Sequence, residues 1–197
     1  MVPPGGRARQ SRPSACPYVG KGGLKLAFAL DRFGISVSGM VCADMGSHVG
    51  GFVDCLLQRG ASRVYSVDTA RGVLDWKLRK DPRVVVFERS NAMHVTLPER
   101  VSLVTIDVGW TPQRLILPAA EKWLVDGGRI ISLVKLQYEL GERSLRRGGV
   151  LDGAQAEEAI AIAERGIPSS LVLLDSAESP LRGSGGNVEI FWLLGKR

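Results

Sequence analysis

From about residue 18 onward, short runs of Val, Ile and Leu alternate with segments whose apolar residues recur at helical spacing. Met40 to Met45, Arg63 to Asp68, Arg83 to Glu88, Ser102 to Asp107 and the strongly apolar Arg129 to Leu136 predict strands, and Ser170 to Asp175 and Val188 to Leu194 add two more. Between them, Leu24, Leu26, Ala27, Ala29, Leu30 and Phe33 form one helical face that stops at Gly34. Further helices are predicted over Gly51 to Arg59, Val73 to Leu78, Pro112 to Val125 and Ala154 to Arg165. Strands that alternate with helices imply a mostly parallel sheet covered on both faces, here of seven strands. Gly183 to Gly186 reads as a tight connection, so the last strand is expected to return antiparallel.

Residues 1–17 are rich in Pro, Gly, Ser and Arg without apolar periodicity, and predict a flexible basic arm before one domain over 18–197. The formal charge of +6 makes a polyanionic partner plausible, and its distribution sharpens the point. Arg7, Arg9, Arg12, Lys21 and Lys25 precede any carboxylate, and Arg143, Arg146 and Arg147 cluster beside Gly148 and Gly149. The two basic segments could flank one groove, or be a cationic tail and a solvated loop. Cys16, Cys42 and Cys55 show no metal-binding or disulfide spacing and are expected to be buried as small hydrophobes. No apolar run reaches the roughly 18 residues that span a bilayer, and Met1 to Pro17 lacks a signal peptide's apolar centre, so a cytoplasmic protein without a membrane partner is expected.

The chemistry begins at Asp44-Met45-Gly46-Ser47-His48-Val49-Gly50-Gly51-Phe52, a strand that runs through a glycine turn into a helix. Glycine lets backbone amides approach a ligand where a Cβ would clash. Asp68 ends the next strand, where α/β nucleotide folds place an acid for ribose hydroxyls. Nicotinamide-binding folds use similar signals, but the spacing here is not GxGxxG and no second domain is evident for a dehydrogenase substrate.

Tyr18-Val19-Gly20-Lys21-Gly22-Gly23-Leu24-Lys25-Leu26, the Asp44 to Phe52 turn and Gly186-Asn187-Val188-Glu189 together resemble FtsJ-like ribose 2'-O-methyltransferases, nearest the TlyA hemolysin/ribosomal RNA methyltransferase branch. The resemblance runs from Tyr18 to Leu194. It implies a Rossmann-like class I S-adenosylmethionine-dependent methyltransferase fold, an RNA substrate, ribosomal in that branch, and a Lys-Asp-Lys-Glu centre. Those four positions fall on Lys25, Asp107, Lys135 and Glu189. A protonated ribose hydroxyl is a poor nucleophile, so methyl transfer needs proton removal and a nearly in-line approach. Lys135 is the candidate base, with Asp107 and Glu189 orienting the two amines. A lysine does this only as the neutral amine, a form that burial or the nearby charges of Lys25 and the sulfonium would favour. The plainer reading of these four is a strand-end ion pair plus surface charges, but two charged residues at apolar strand ends are costly to bury.

For the cofactor, the same resemblance points to Asp44 for the methionine ammonium, to Gly46, Ser47, His48, Gly50, Gly51 and Phe52 for close backbone approach, and to Asp68 for the ribose. Asn91 would meet the adenine edge or simply form a turn, and Asp107 would border both cofactor and substrate. His48 and His94 are too dispersed for a metal site, and none is expected. Trp110 is expected to be a packing residue, with stacking on a substrate base as the alternative. Trp76, Trp123 and Trp192 read as core or helix-face residues, and Glu139 as a loop charge rather than another site acid. The chain departs from the branch at His48-Val49, where Ser-Thr is usual, at Val108 to Thr111 after Asp107, and at Leu136, where Pro is usual. The branch's small RNA-binding module is not recognised ahead of Tyr18. These departures keep open a non-catalytic RNA-binding or assembly protein on the same fold. No strongly amphipathic basic helix supports a cytolysin.

Overall fold

A computed structural model describes residues 16–141, 150–183 and 185–197. Arg7, Arg9, Arg12, Arg143, Arg146 and Arg147, and nearly all of the expected arm, lie outside the described residues.

The described chain alternates helix and strand as α1 (Gly22–Arg32), β1 (Val41–Met45), α2 (Gly51–Gln58), β2 (Arg63–Val67), α3 (Trp76–Arg79) and β3 (Val84–Phe87). It continues with β4 (Val101–Ile106), α4 (Gln113–Trp123), β5 (Leu124–Lys135), α5 (Leu136–Glu139), α6 (Gly153–Arg165), β6 (Leu171–Glu178) and β7 (Glu189–Lys196). The seven strands form one sheet in the order β3-β2-β1-β4-β5-β7-β6, in which β7 runs antiparallel to both neighbours. The expected mostly parallel, seven-stranded α/β fold with an antiparallel last strand is borne out.

Side chains that alternate along each strand feed two cores, one per sheet face. Cys42, Val64, Leu103, Ile131 and Phe191 join Leu26 and Leu30 of α1 and Val53 and Leu56 of α2. Ala43, Tyr65, Val104, Ile130 and Trp192 join Ile116 and Ala120 of α4 and Ala159 and Ala163 of α6 on the other face. The strand order reverses between β1 and β4, and α/β sheets open a crevice at the carboxyl ends of such a pair.

Several boundaries differ from the expectation: α3 begins at Trp76 rather than Val73, and β6 runs on to Glu178. The helix expected to reach Val125 ends at Trp123, because Leu124 is drawn into extended backbone and pairs with Val101. β5 therefore begins five residues before the expected Arg129, passing through exposed Asp126 and through Gly127 at φ 74°. Cys42 and Cys55 are buried as expected, but Cys16 is exposed.

Gly50 is a turn position that favours glycine on two counts. It caps α2 at φ 99°, and a Cβ there would lie 2.2 Å from Leu78 Cδ1 and 2.7 Å from Leu74 Cδ1. Gly50→Ala is expected to cost roughly 2–4 kcal/mol, the sum of left-handed strain and overpacking, read as a lower denaturation midpoint. Gly153→Ala, where a Cβ meets nothing within 4 Å, should leave that midpoint nearly unchanged.

Candidate active site

The crevice is built from β1 outward. Asp44, second from the end of β1, is fully buried; its Oδ1 accepts a 2.6 Å hydrogen bond from Thr105 Oγ1 of the neighbouring strand, while Oδ2 has no hydrogen-bond partner among the described residues. Burial pushes the Asp44 carboxyl up to about 7, partly offset by the Thr105 and Ser47 hydroxyls and reinforced by the negative charges of Asp107 and Asp68. Ser47 also donates to the Asp44 carbonyl at 3.1 Å, which ties the turn back to its strand.

The turn itself hangs on β2. Gly46 N–H and Ser47 N–H both donate to the Val67 carbonyl, at 2.9 and 3.3 Å. Asp68 then clamps the next step: one carboxylate oxygen accepts from His48 N–H and the other from Ala70 N–H, each at 2.7 Å. His48 is held at φ 48°, unusual for a residue with a side chain. Gly46, at φ 87°, has Asp107 O only 2.5 Å from where a Cβ would sit, so the turn and the end of β4 touch through glycine alone.

On the far side, Lys135 ends β5 and stands in register with Glu189 at the start of β7. Lys135 Nζ lies 2.6 Å from Asp107 Oδ1, and Lys25 Nζ, from the first turn of α1, lies 2.5 Å from Glu189 Oε2. Four elements distant in sequence thus bring two ion pairs to one place. A cleft of about 680 Å³ is lined by all four of these residues together with Gly46, His48, Asp68 and Asn91. A smaller cavity of about 210 Å³ shares Gly46, His48 and Asp107 with it and adds Asp44, Ser47, Gly51 and Phe52. Gly50 lines neither and serves as the buried pivot of the turn.

The FtsJ-like methyltransferase family model matches residues 18–196. The chain belongs to that family. It is 41% identical over 183 residues to the 16S/23S rRNA (cytidine-2'-O)-methyltransferase TlyA of Mycobacterium tuberculosis, a match covering 89% of this chain and 68% of that one. It is 38% identical to YqxC of Bacillus subtilis, a candidate rRNA methyltransferase, across 87% of this chain and 63% of that one. The chain therefore spans about two thirds of the length of these relatives. A solved structure of a candidate hemolysin from Streptococcus thermophilus superposes with a TM-score of 0.87 at 36% identity, over 94% of this chain and 69% of that chain. The expected FtsJ-like identity and Rossmann-like methyltransferase fold are borne out.

Within the FtsJ-like frame, several flanking residues differ from the sequence reading. Trp110 is not a packing residue: it is 75% exposed at φ 63°, lines the large cleft and meets Tyr138 at a ring-centroid distance of 5.2 Å. Its loop leaves β4 at the crevice mouth. Glu139 is not a loop charge but a buried residue of α5, whose carboxylate accepts from Gln113 N–H at 2.9 Å and so satisfies the start of α4. Burial pushes its carboxyl up, and the Gln113 N–H counters this. Asn91 lines the cleft and also forms a turn, its Oδ1 accepting from Met93 N–H at 3.0 Å. Thr105, the partner of Asp44, was not foreseen; the one polar side chain besides Ser102 in the apolar run Val101 to Ile106 was the available signal. Among the described residues no cluster of His, Cys, Asp and Glu could hold a metal, and no helix is long and apolar enough to cross a membrane.

Proposed function

We propose that this chain transfers a methyl group from S-adenosylmethionine to a ribose 2'-hydroxyl of RNA, with ribosomal RNA as the substrate. The observation that carries this reading is the meeting of Lys25, Asp107, Lys135 and Glu189 at the carboxyl ends of the strands, in the cleft that also contains Asp68 and the glycine turn. The names of the M. tuberculosis and B. subtilis relatives support the RNA substrate.

The residues present fit the cofactor. Asp44 Oδ2 is a buried acceptor without a donor among the described residues, suited to an ammonium group, and Gly46 brings bare backbone to the cradle against the Asp107 carbonyl. Asp68 keeps spare lone pairs beyond its two backbone amides, enough for ribose hydroxyls. When bound, S-adenosylmethionine supplies an electrophilic methyl group. As the neutral amine, Lys135 would take the proton of the 2'-hydroxyl while its oxygen gains the methyl and the sulfonium leaves as a thioether, and would release that proton to solvent. Asp107 aims the Lys135 amine, and Glu189 holds Lys25 beside it as a fixed cation. Trp110, exposed at the mouth, offers a face on which the base of the target nucleotide can stack.

Incubation with tritiated-methyl cofactor and ribosomal RNA, followed by nucleoside analysis, is expected to give a 2'-O-methylated nucleoside. Methylation of a base would overturn the proposal. Cofactor binding by calorimetry without transfer to any RNA would favour the binding or assembly protein instead.

A further inference from the structure

A second surface stands beside the cleft and is used by none of the chemistry above. Trp76 opens the short helix α3 and is 67% exposed, with Lys80 Nζ 5.0 Å from the centre of its ring. The helix is rigidly mounted despite its length. Leu74 and Leu78 pack against Gly50, Asp75 N–H donates to the Val49 carbonyl at 3.1 Å, and the Asp75 side chain caps the helix through Lys77 N–H at 2.8 Å. The exposed tryptophan is therefore fixed to the glycine turn of the crevice.

Apart from Asp75, whose exposed carboxylate caps α3, the acids around it are paired. Asp54 takes Lys77 at 3.2 Å, Asp81 takes Arg83 at 2.7 Å, and Glu88 is consumed by Arg79 and by Gly72 N–H. Arg71, Lys80 and Arg89 form no salt bridge among the described residues, although the Arg71 charge reaches Glu88, and all three are exposed. Arg71 and Arg89 are drawn together by the 3.2 Å hydrogen bond from Arg89 N–H to the Ala70 carbonyl, and their neighbours Thr69 and Ser90 line the cleft. Exposed cations thus stand both at the cleft rim and beside the aromatic face. A polyanion with flat, stackable groups matches both halves of this pattern, and single-stranded RNA has that chemistry.

We propose that this shoulder docks the single-stranded RNA flanking the methylated nucleotide. Trp76 stacks on one base, and Arg71, Lys80 and Arg89 neutralise the phosphates on either side. The proposal rests on the RNA methyltransferase reading, but its test does not require turnover. Binding of a fluorescein-labelled 15-nucleotide pyrimidine RNA is followed by anisotropy across a salt series, with cofactor binding measured separately by calorimetry. Trp76→Ala is expected to weaken RNA binding about tenfold and Trp76→Phe to restore most of it. The triple variant Arg71→Ala, Lys80→Ala, Arg89→Ala should reduce the slope of log affinity against log salt by about 2. Cofactor affinity should not move in any of them, which also reports that they fold. Wild-type RNA affinity and salt slope in both variants would overturn the proposal, whether or not methyl transfer is observed. Loss of self-association in Trp76→Ala with RNA affinity unchanged would assign the patch to a second copy of the chain and overturn it equally.

Discussion

Lys135→Ala abolishes most methyl transfer while leaving the protein folded and able to bind its cofactor. The expected fall in kcat is about 10²–10⁴-fold, the usual worth of a positioned proton acceptor. Lys135 lines the large cleft but not the smaller cavity that holds Asp44, so the substitution removes the amine without touching the ammonium pocket. Its side chain and that of Asp107 keep 18% and 26% exposure, so water can solvate the carboxylate left behind. Lys25→Ala is a poorer test for the opposite reason. Glu189 is only 3% exposed, and stripping its partner would leave a buried charge uncompensated at a cost of about 3–5 kcal/mol, confounding activity with folding. Single-turnover kinetics with purified Lys135→Ala check the first expectation, and more than a tenth of wild-type rate would remove Lys135 from the role of base.

Asp44→Asn should make the free protein more stable and the enzyme worse. The carboxyl titrates near 3.8 in an unfolded chain and near 7 when folded. Between those values the folded state holds a proton that the unfolded state has lost, so wild-type stability falls as pH rises through that window and levels off above it. Asparagine carries no such proton. The variant should lack this slope and, above about pH 7, exceed wild type by up to about 4 kcal/mol, read from urea denaturation at several pH values. Cofactor binding should move the other way. Wild-type affinity should climb with pH as Asp44 ionises to meet the ammonium, whereas Asp44→Asn should bind about 10–100-fold more weakly at pH 8, with a flat profile, because a charge-assisted hydrogen bond is lost. Equal affinity of the two proteins at pH 8 would show that the orphaned Oδ2 serves some other group. Stability withheld for the sake of a ligand is a common feature of binding sites.

The differences between pattern and structure have local causes. Periodicity located every strand, because an element buried against helices must be apolar along its whole length. It missed the start of β5 because Leu124 to Arg129 reads as helix end and glycine loop until β4 is available to pair with Leu124. It missed α5 because four residues are too few to show a period, and it therefore took Glu139 for a loop charge when the carboxylate is needed by the first turn of α4. Trp110 and Trp76 carried the same ambiguity, since a tryptophan's side chain does not record whether a second layer covers it. Both are exposed, Trp110 in the cleft and Trp76 on the helix that packs against Gly50.

What the sequence determined by itself was the order of elements, the parallel architecture, the glycine turn and, through several separated motifs, the FtsJ-like family. Each of these is encoded locally, in spacing or in a short run of residues. Tertiary structure alone decided which charges meet. Lys25 and Glu189 lie near opposite ends of the chain, and only the antiparallel return of β7 beside β5 sets Glu189 in register with Lys135 and within 2.5 Å of Lys25. It alone also gave Asp44 a donor from β4 and left its other oxygen without a hydrogen-bond partner among the described residues, because burial and hydrogen-bond partners belong to the packed sheet and not to any one strand.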